Sequence, residues 1–253
     1  MATTSSEHEL MALGARRINT DTDPEELVLP EASMQRLRRL ADWLTQPPSV
    51  LREWGLHRYI DGGLRALFAG PSGTGKTMAA IAIGRWSKRP LIRVDLAPAT
   101  GKYIGDTEKN LQRIFVAAGQ EQAILLFENG DVSGTGVLLR RLEPFEGLAI
   151  IAVDESAGLG EDAVSRLDGI VDFPMPDEDA RREIWGKLLA AAKLARSDNL
   201  DARALAADYP LTGAEILRAL RIAALLAAGE GRPLDTELLR HCAEERLKIR
   251  SAA

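Results

Sequence analysis

The segment of the sequence with the clearest chemistry is the glycine-rich run at residues 70–77. It reads Gly70-Pro71-Ser72-Gly73-Thr74-Gly75-Lys76-Thr77 and satisfies G-x-x-x-x-G-K-S/T at every position. In this pattern the glycines let backbone N–H groups turn inward around a β-phosphate, the lysine reaches the β and γ oxygens, and the hydroxyl takes a Mg²⁺ position. The run follows an apolar segment and opens a helical one, with Met78 next in the chain. The sequence therefore predicts a site that binds a nucleotide together with Mg²⁺.

Short apolar runs alternate with amphipathic helical patterns around this loop. The predicted strands are Leu64–Ala69, Leu91–Asp95, Ala123–Phe127, Leu148–Val153 and Ile170–Phe173, and the predicted helices between them are Lys76–Ser87, Thr107–Gly119 and Val137–Leu142. Alternation of this kind is typical of βαβ units, and hence of a mostly parallel sheet covered on both faces. The predicted fold class is α/β.

Beyond residue 175 the pattern becomes entirely helical. Four segments rich in alanine and leucine have helical spacing: Asp177–Ala195, Leu200–Ala207, Gly213–Ala228 and Asp235–Lys248. At the other end, residues 1–23 are polar and aperiodic, which predicts a mobile leader. A helix is predicted from near Ser33 to the residues before Pro47-Pro48. The predicted organisation is a leader at 1–23, an α/β nucleotide-binding subdomain at 24–175 and a helical subdomain at 176–253.

Bulk composition narrows the class of protein further. With 253 residues, 45% hydrophobic and 27% charged, the chain can form one large α/β domain and a small appendage. The formal net charge of -5 disfavours broad binding to a nucleic-acid backbone. Cys242 is the only cysteine, which excludes an intrachain disulfide and fits a reducing cytosol. No apolar run reaches the roughly 18 residues that span a bilayer, so we expect a cytoplasmic protein without a membrane segment.

Several motifs besides the loop resemble the AAA family of ATPases. They are the run Lys102–Asn110, the strand Ile124–Phe127, the run Arg166-Leu167-Asp168 and the run Asp172-Phe173-Pro174-Met175-Pro176. The similarity extends from about Leu27 to the C-terminus. The resemblance implies a P-loop NTPase three-layer sandwich with a parallel sheet of order 5-1-4-3-2 and a C-terminal four-helix lid. It also implies a ring of usually six subunits, with nucleotide between neighbours, that draws a polypeptide through its pore.

The same resemblance assigns three further contacts. Tyr103 stands at the pore-loop position, where an aromatic ring grips a passing polypeptide, and the alternative is a half-exposed tyrosine without a partner. His57, in the segment 54–57, stands where the family packs against adenine, and the alternative is an ordinary surface residue. Gly213 and Ala214 match the lid turn that approaches the nucleotide, unless this turn is only a helix N-cap.

The catalytic positions that the resemblance implies carry altered residues. Glu128 and Asn129 stand where the family has Asp and then Glu. Glu128 keeps a carboxylate and is, with Thr77, the predicted metal ligand, but it is one methylene longer, whereas the amide of Asn129 cannot accept the proton of an attacking water. Asp154 replaces the usual sensor asparagine and would repel a γ-phosphate. In Ser165-Arg166 only one arginine of the finger pair remains, so Arg166 is the predicted finger.

These departures predict a protein that binds ATP and hydrolyses it weakly or not at all, as a nucleotide-regulated assembly or protein-remodelling subunit. One alternative is an active remodelling ATPase in which Asp154, beside Asn129 in the family's strand order, acts as the base. Another is a non-enzymatic subunit that completes a mixed ring with an active paralogue. Residues 132–136 are predicted to be a short connection, with little room for a second pore loop.

Overall fold

A computed structural model describes residues 2–19, 23–46, 49–56, 62–95, 104–128, 132–154, 159–192, 197 and 200–252. The chain divides into two compact units. The first consists of Met1–Gly70 and Lys76–Phe173, and the second of Pro71–Gly75 and Pro174–Ala253. Among the described residues, no helix is both long and apolar enough to cross a membrane.

The elements of the first unit follow the predicted alternation. In chain order they are α1 (Ala2–Ala12), β1 (Ala15–Ile18), a 3-10 turn (Pro24–Glu26), α2 (Glu31–Thr45), α3 (Val50–Glu53), β2 (Leu64–Ala69), α4 (Lys76–Ser87), β3 (Leu91–Asp95), α5 (Ile104–Glu121), β4 (Ile124–Glu128), α6 (Val132–Arg141), β5 (Leu148–Val153), α7 (Glu161–Val164) and β6 (Gly169–Asp172). From β2 onward, strands and helices alternate along the chain. The predicted α/β class is confirmed.

The sheet has the order β1-β3-β4-β5-β2-β6. All neighbouring pairs from β3 to β6 are parallel, whereas β1 runs antiparallel to β3 at the edge. When the parallel strands are counted from β2, their order is 5-1-4-3-2, as the family resemblance implies. Because all five parallel strands point the same way, their carboxyl ends share one edge of the sheet, where ligands bind in folds of this kind.

Alternating residues of each strand supply two separate apolar cores. In β2, Ala66 and Phe68 join a cluster with residues of α2 and α4. Leu67 and Ala69 join a cluster with residues of α1, α5 and α6 on the opposite face. This period of two is the pattern of a strand buried on both faces, which confirms a sheet with helices on both sides.

The structure corrects the predicted leader at residues 2–19. These residues form α1 and β1, and Ala15 and Ile18 lie opposite Val94 and Leu91 in the register with β3. Leu10 and Leu13 are buried in the core that α1, α5 and α6 form against one face of the sheet. A four-residue edge strand draws its stability from its partner strand, so the local sequence carries little periodic signal for it.

A second correction concerns residues 132–136. They were predicted as a short connection but form the first half of α6, which extends from Val132 to Arg141. Gly134 and Gly136 lower the intrinsic helix propensity by about 1 kcal/mol each, which made the segment resemble a loop. Packing of Leu138 and Leu139 into the core outweighs this penalty.

The second unit contains α8 (Glu178–Ala191), α9 (Ala202–Asp208), α10 (Gly213–Glu230) and α11 (Thr236–Ser251). Each helix follows a residue whose side chain accepts a hydrogen bond from a backbone N–H of the first turn, namely Asp177, Asp201, Thr212 and Asp235. The helices pack around a core that includes Trp185, Leu205 and Leu239. Cys242 is buried there, and burial raises the pKa of its thiol. The predicted C-terminal helices are confirmed.

Candidate nucleotide-binding site

The glycine-rich loop begins where three strand ends are tied together. Gly70 follows β2 directly, and its N–H donates to the carbonyl oxygen of Val153 at the end of β5 (3.2 Å). The N–H of Phe173, just after β6, donates to the carbonyl oxygen of Ala69 (2.7 Å). A Cβ atom added to Gly70 would lie 2.0 Å from the carbonyl oxygen of Phe173. Only glycine fits this position, because any side chain would overlap that backbone.

The central part of the loop packs within the second unit. Gly73 has a φ of 84°, and a Cβ atom there would approach Thr212 Oγ1 to 2.7 Å. The N–H of Ala214 donates to the carbonyl oxygen of Gly73 (3.1 Å). Gly213 lies in the same turn, and a Cβ atom added to it would lie 3.7 Å from that carbonyl oxygen. The turn is therefore both the N-cap of α10 and a contact of the loop.

The remaining loop positions differ in exposure. Pro71 and Ser72 are exposed, whereas Thr74 is buried and its hydroxyl donates to the carbonyl oxygen of Pro71 (2.8 Å). Gly75 has a φ of 110°. Met78, on the first turn of α4, is half-buried against the core formed with α2. Its side chain therefore serves packing.

Lys76, the first residue of α4, is paired with a carboxylate. Its ammonium group donates to the carbonyl oxygen of Gly70 and to Asp154 Oδ1, the latter at 3.1 Å. Asp154 follows the end of β5, the strand next to β2. The lysine side chain is 11% exposed and the aspartate side chain 78%. The pair is thus half in solvent, with the lysine as the sheltered partner.

Thr77 and Glu128, the predicted metal ligands, are in direct contact. The Thr77 hydroxyl donates to Glu128 Oε1 at 2.5 Å. Glu128 ends β4, and its other oxygen, Oε2, forms an ion pair with the guanidinium group of Arg93 on β3. Sequence reasoning missed Arg93. The available signal was a charged residue between Ile92 and Val94, inside a strand whose neighbours are buried.

The charges around Thr77 and Glu128 do not match a site that binds Mg²⁺ strongly. Thr77 and Glu128 offer oxygen atoms, which Mg²⁺ prefers, and such sites commonly use one or two carboxylates besides the substrate's phosphates. Arg93, however, already neutralises the Glu128 carboxylate. A divalent cation beside Glu128 would therefore face a fixed positive charge.

Arg166, the predicted finger, does not join this group. It pairs with Glu143 and with Asp162 Oδ1 (3.2 Å), and Arg140 binds the other oxygen of Asp162 at 2.8 Å. Hydrogen bonds from Arg140 and then Arg166 lower the pKa of Asp162, so its carboxylate stays ionised at neutral pH. In the single chain, Arg166 is therefore engaged by its own subunit.

Three predicted site residues, His57, Tyr103 and Asn129, lie outside the described residues. Among the others, the structure brings Lys76 together with Asp154, and Thr77 with Glu128. It brings Gly73 together with Ala214 in the second unit.

The sheet order, the glycine-rich loop directly after β2 and the lysine and threonine at the start of α4 define a nucleotide-binding module of the P-loop class. Residues 66–174 match the ATPase family associated with various cellular activities (AAA). Residues 66–174 therefore form an AAA-type module.

The chain is also similar to proteasome-activating nucleotidases. The chain is 25% identical over 226 residues to the proteasome-activating nucleotidases of Saccharolobus islandicus (strain M.14.25 / Kamchatka #1) and Saccharolobus solfataricus, a match that covers 80% of this chain and 56% of the relative. It is 27% identical over 195 residues to that of Aeropyrum pernix, covering 66% of this chain and 47% of the relative. The chain thus spans about half the length of the curated relatives it matches.

Proposed function

We propose that this chain is an AAA-type subunit in which binding of ATP or ADP, rather than rapid hydrolysis, controls conformation or assembly. The AAA module and the complete loop at residues 70–77 support nucleotide binding. The weak or absent hydrolysis in the proposal rests on Asn129, Asp154 and Ser165, which stand at altered catalytic positions.

The observation that carries the proposal is the ion pair between Lys76 and Asp154. A P-loop lysine is the group that reaches the β- and γ-phosphate oxygens, yet here it already serves a carboxylate at 3.1 Å. A bound triphosphate would share this lysine and bring negative charge close to Asp154. Two like charges about 4 Å apart repel by about 1 kcal/mol in water and about 4 kcal/mol at an effective dielectric constant of 20. Because Asp154 is exposed, the lower figure applies, which would weaken triphosphate binding without abolishing it.

The same contact disfavours the alternative in which Asp154 is the general base. A base must lie within hydrogen-bond reach of the water whose proton it removes. Oδ1 of Asp154 is instead turned to the ammonium group of Lys76. As long as that pair persists, Oδ1 serves the lysine rather than a water molecule, and a base at this position would have to act through Oδ2.

The proposal extends to partners. We propose association with further copies or with related AAA subunits in a ring, usually of six in this family, in a cytoplasmic setting. The relatives are named for activating a proteasome. The corresponding proposal for this chain is a polypeptide client, gripped by Tyr103, rather than a nucleic acid.

Thermal unfolding with and without nucleotide, combined with a malachite-green assay of phosphate release, tests the proposal. Ligand at about 100 times its dissociation constant should add roughly 2.7 kcal/mol to the free energy of unfolding. Lys76→Ala should abolish this stabilisation, whereas Lys248→Ala, an exposed lysine on α11, should retain it. Phosphate release should stay near background.

Two results would contradict the proposal in different ways. No stabilisation by millimolar ATP or ADP, with or without Mg²⁺, would remove the binding claim. Fast phosphate release would leave an active ATPase instead.

A further inference from the structure

We propose that Arg93 is a built-in counter-charge for Glu128 and makes nucleotide binding at this site nearly independent of Mg²⁺. The inference rests on the proposed nucleotide binding. It concerns which cation balances the charge of the site, and it assigns a role to an arginine outside the glycine-rich loop.

The register of β3 and β4 places Arg93 beside Glu128. In the parallel register, Asp95 lies opposite Glu128 and Arg93 lies opposite Leu126. Residues two apart on a strand share a face, so Arg93 and Glu128 point to the same side of the sheet. Ile92 and Val94 point to the other side and are buried in the opposite core. The strand geometry therefore directs Arg93 towards Glu128.

Both carboxylate oxygens of Glu128 already have a partner. Oε1 accepts from Thr77 and Oε2 pairs with Arg93. The side chain of Glu128 is 12% exposed and that of Arg93 is 29% exposed. A largely buried carboxylate needs a partner, because loss of its hydration is otherwise uncompensated.

The partner of Glu128 is a guanidinium group, whose charge is permanent. A guanidinium group keeps its charge at any physiological pH and fits a carboxylate with a planar set of donors. Mg²⁺ that arrives with a nucleotide must compete with this charge for Glu128. The Thr77 hydroxyl and the phosphates can still approach the metal, but the Glu128–Arg93 pair carries no net negative charge that would hold it. The affinity for the nucleotide should then change little when Mg²⁺ is removed.

The dissociation constant of ADP, measured by calorimetry in millimolar MgCl₂ and in EDTA, tests the inference. The wild-type values should agree to within about threefold, less than half of a tenfold step on the free-energy scale. In Arg93→Gln the Glu128 charge is exposed to the ligand, so the preference for Mg²⁺ should rise by about tenfold. The unfolding transition of each variant confirms that it is folded.

Matched variants separate the specific contact from general charge. Arg93→Lys keeps the positive charge and should retain the wild-type ratio. Arg16→Gln removes an exposed arginine directly opposite Arg93 in the register with β1 and should change nothing. Glu128→Gln removes the carboxylate that Mg²⁺ would use, so a Mg²⁺ preference clearly below the wild-type value would show that Glu128 holds the metal and would contradict the inference. This variant remains informative if Arg93→Gln does not fold.

The possible failures are distinguishable. If the wild-type chain binds ADP in MgCl₂ but not in EDTA, and Arg93→Gln leaves that ratio unchanged, Arg93 has no such role and the proposed function stands. If ADP and ATP bind in neither buffer, the proposed function falls, and the inference with it.

Discussion

At the scale of single residues, substitution of Asp154 distinguishes the proposed function from an active ATPase that uses Asp154 as its general base. Asp154→Asn removes a negative charge while keeping the shape, so we expect the affinity for ATP to rise by about fivefold relative to that for ADP. Competition with a fluorescent ADP analogue measures both affinities. Asp172→Asn is the matched control, since Asp172 also ends a strand but pairs with Arg36. Its affinities should not change.

Phosphate release by the same Asp154→Asn variant tests the alternative in which Asp154 is the general base. Under the proposed function it remains near background, as in the wild type. Fast wild-type release that this substitution abolishes would instead identify Asp154 as the base.

A second prediction at this scale concerns Asn129, which under the proposed function stands where a general base would be needed. Asn129→Glu combined with Glu128→Asp should produce phosphate release above the wild-type rate, because a general base contributes about 10²–10⁴-fold. Recovery should be partial, since Ser165 leaves the finger pair incomplete and such deficits multiply. The matched control is Asn129→Gln with Glu128→Asp, which has the same length without the carboxylate. Equal rates in the two double variants would show that the absence of a base is not the limiting defect.

The sequence was sufficient to predict the nucleotide-binding loop but not the ion pairs formed around it. Residues 70–77 satisfy a complete pattern whose glycine spacing has a physical cause, so they could be predicted without any knowledge of the fold. The contact of Lys76 with Asp154 joins residues 78 positions apart. That of Arg93 with Glu128 depends on the register of two adjacent strands. Neither distance is encoded in local spacing.

At the scale of elements, the start of α10 couples a helix cap to the loop. Thr212 and Glu215 form a reciprocal capping box, and both are buried. Thr212→Ala should reduce the free energy of unfolding by about 1 kcal/mol. Thr212→Ser keeps the hydroxyl and should lose less than half of that. Urea unfolding of the three proteins measures the difference, and equal losses in both variants would assign the effect to the methyl group instead.

The elements also show where periodicity succeeds and where it fails. The five parallel strands and α8 to α11 were predictable because each buries a regular apolar pattern. The strand β1 and the first half of α6 were not. Edge pairing with β3 stabilises the former, and core packing of Leu138 and Leu139 the latter, both through contacts distant in sequence.

At the scale of the whole molecule, the proposed ring requires Arg166 to exchange partners. In the single chain it pairs with Glu143 and Asp162, whose side chains are exposed, so solvent screens both ion pairs and each contributes little. A nucleotide on a neighbouring subunit offers a stronger, multiply charged acceptor for a guanidinium group. The contacts seen in the chain are therefore weak enough to be replaced on assembly.

The corresponding prediction is that nucleotide promotes a larger species that Arg166→Ala weakens. Sedimentation velocity at tens of micromolar protein, with and without saturating ADP or ATP, measures the distribution. Arg140→Ala is the matched control, because Arg140 binds the same Asp162 but is not the predicted finger. It should assemble like the wild type. Equal losses in the two variants would assign the effect to the Asp162 cluster, and a wild-type monomer under all conditions would favour the subunit of a mixed ring that assembles only with its paralogue.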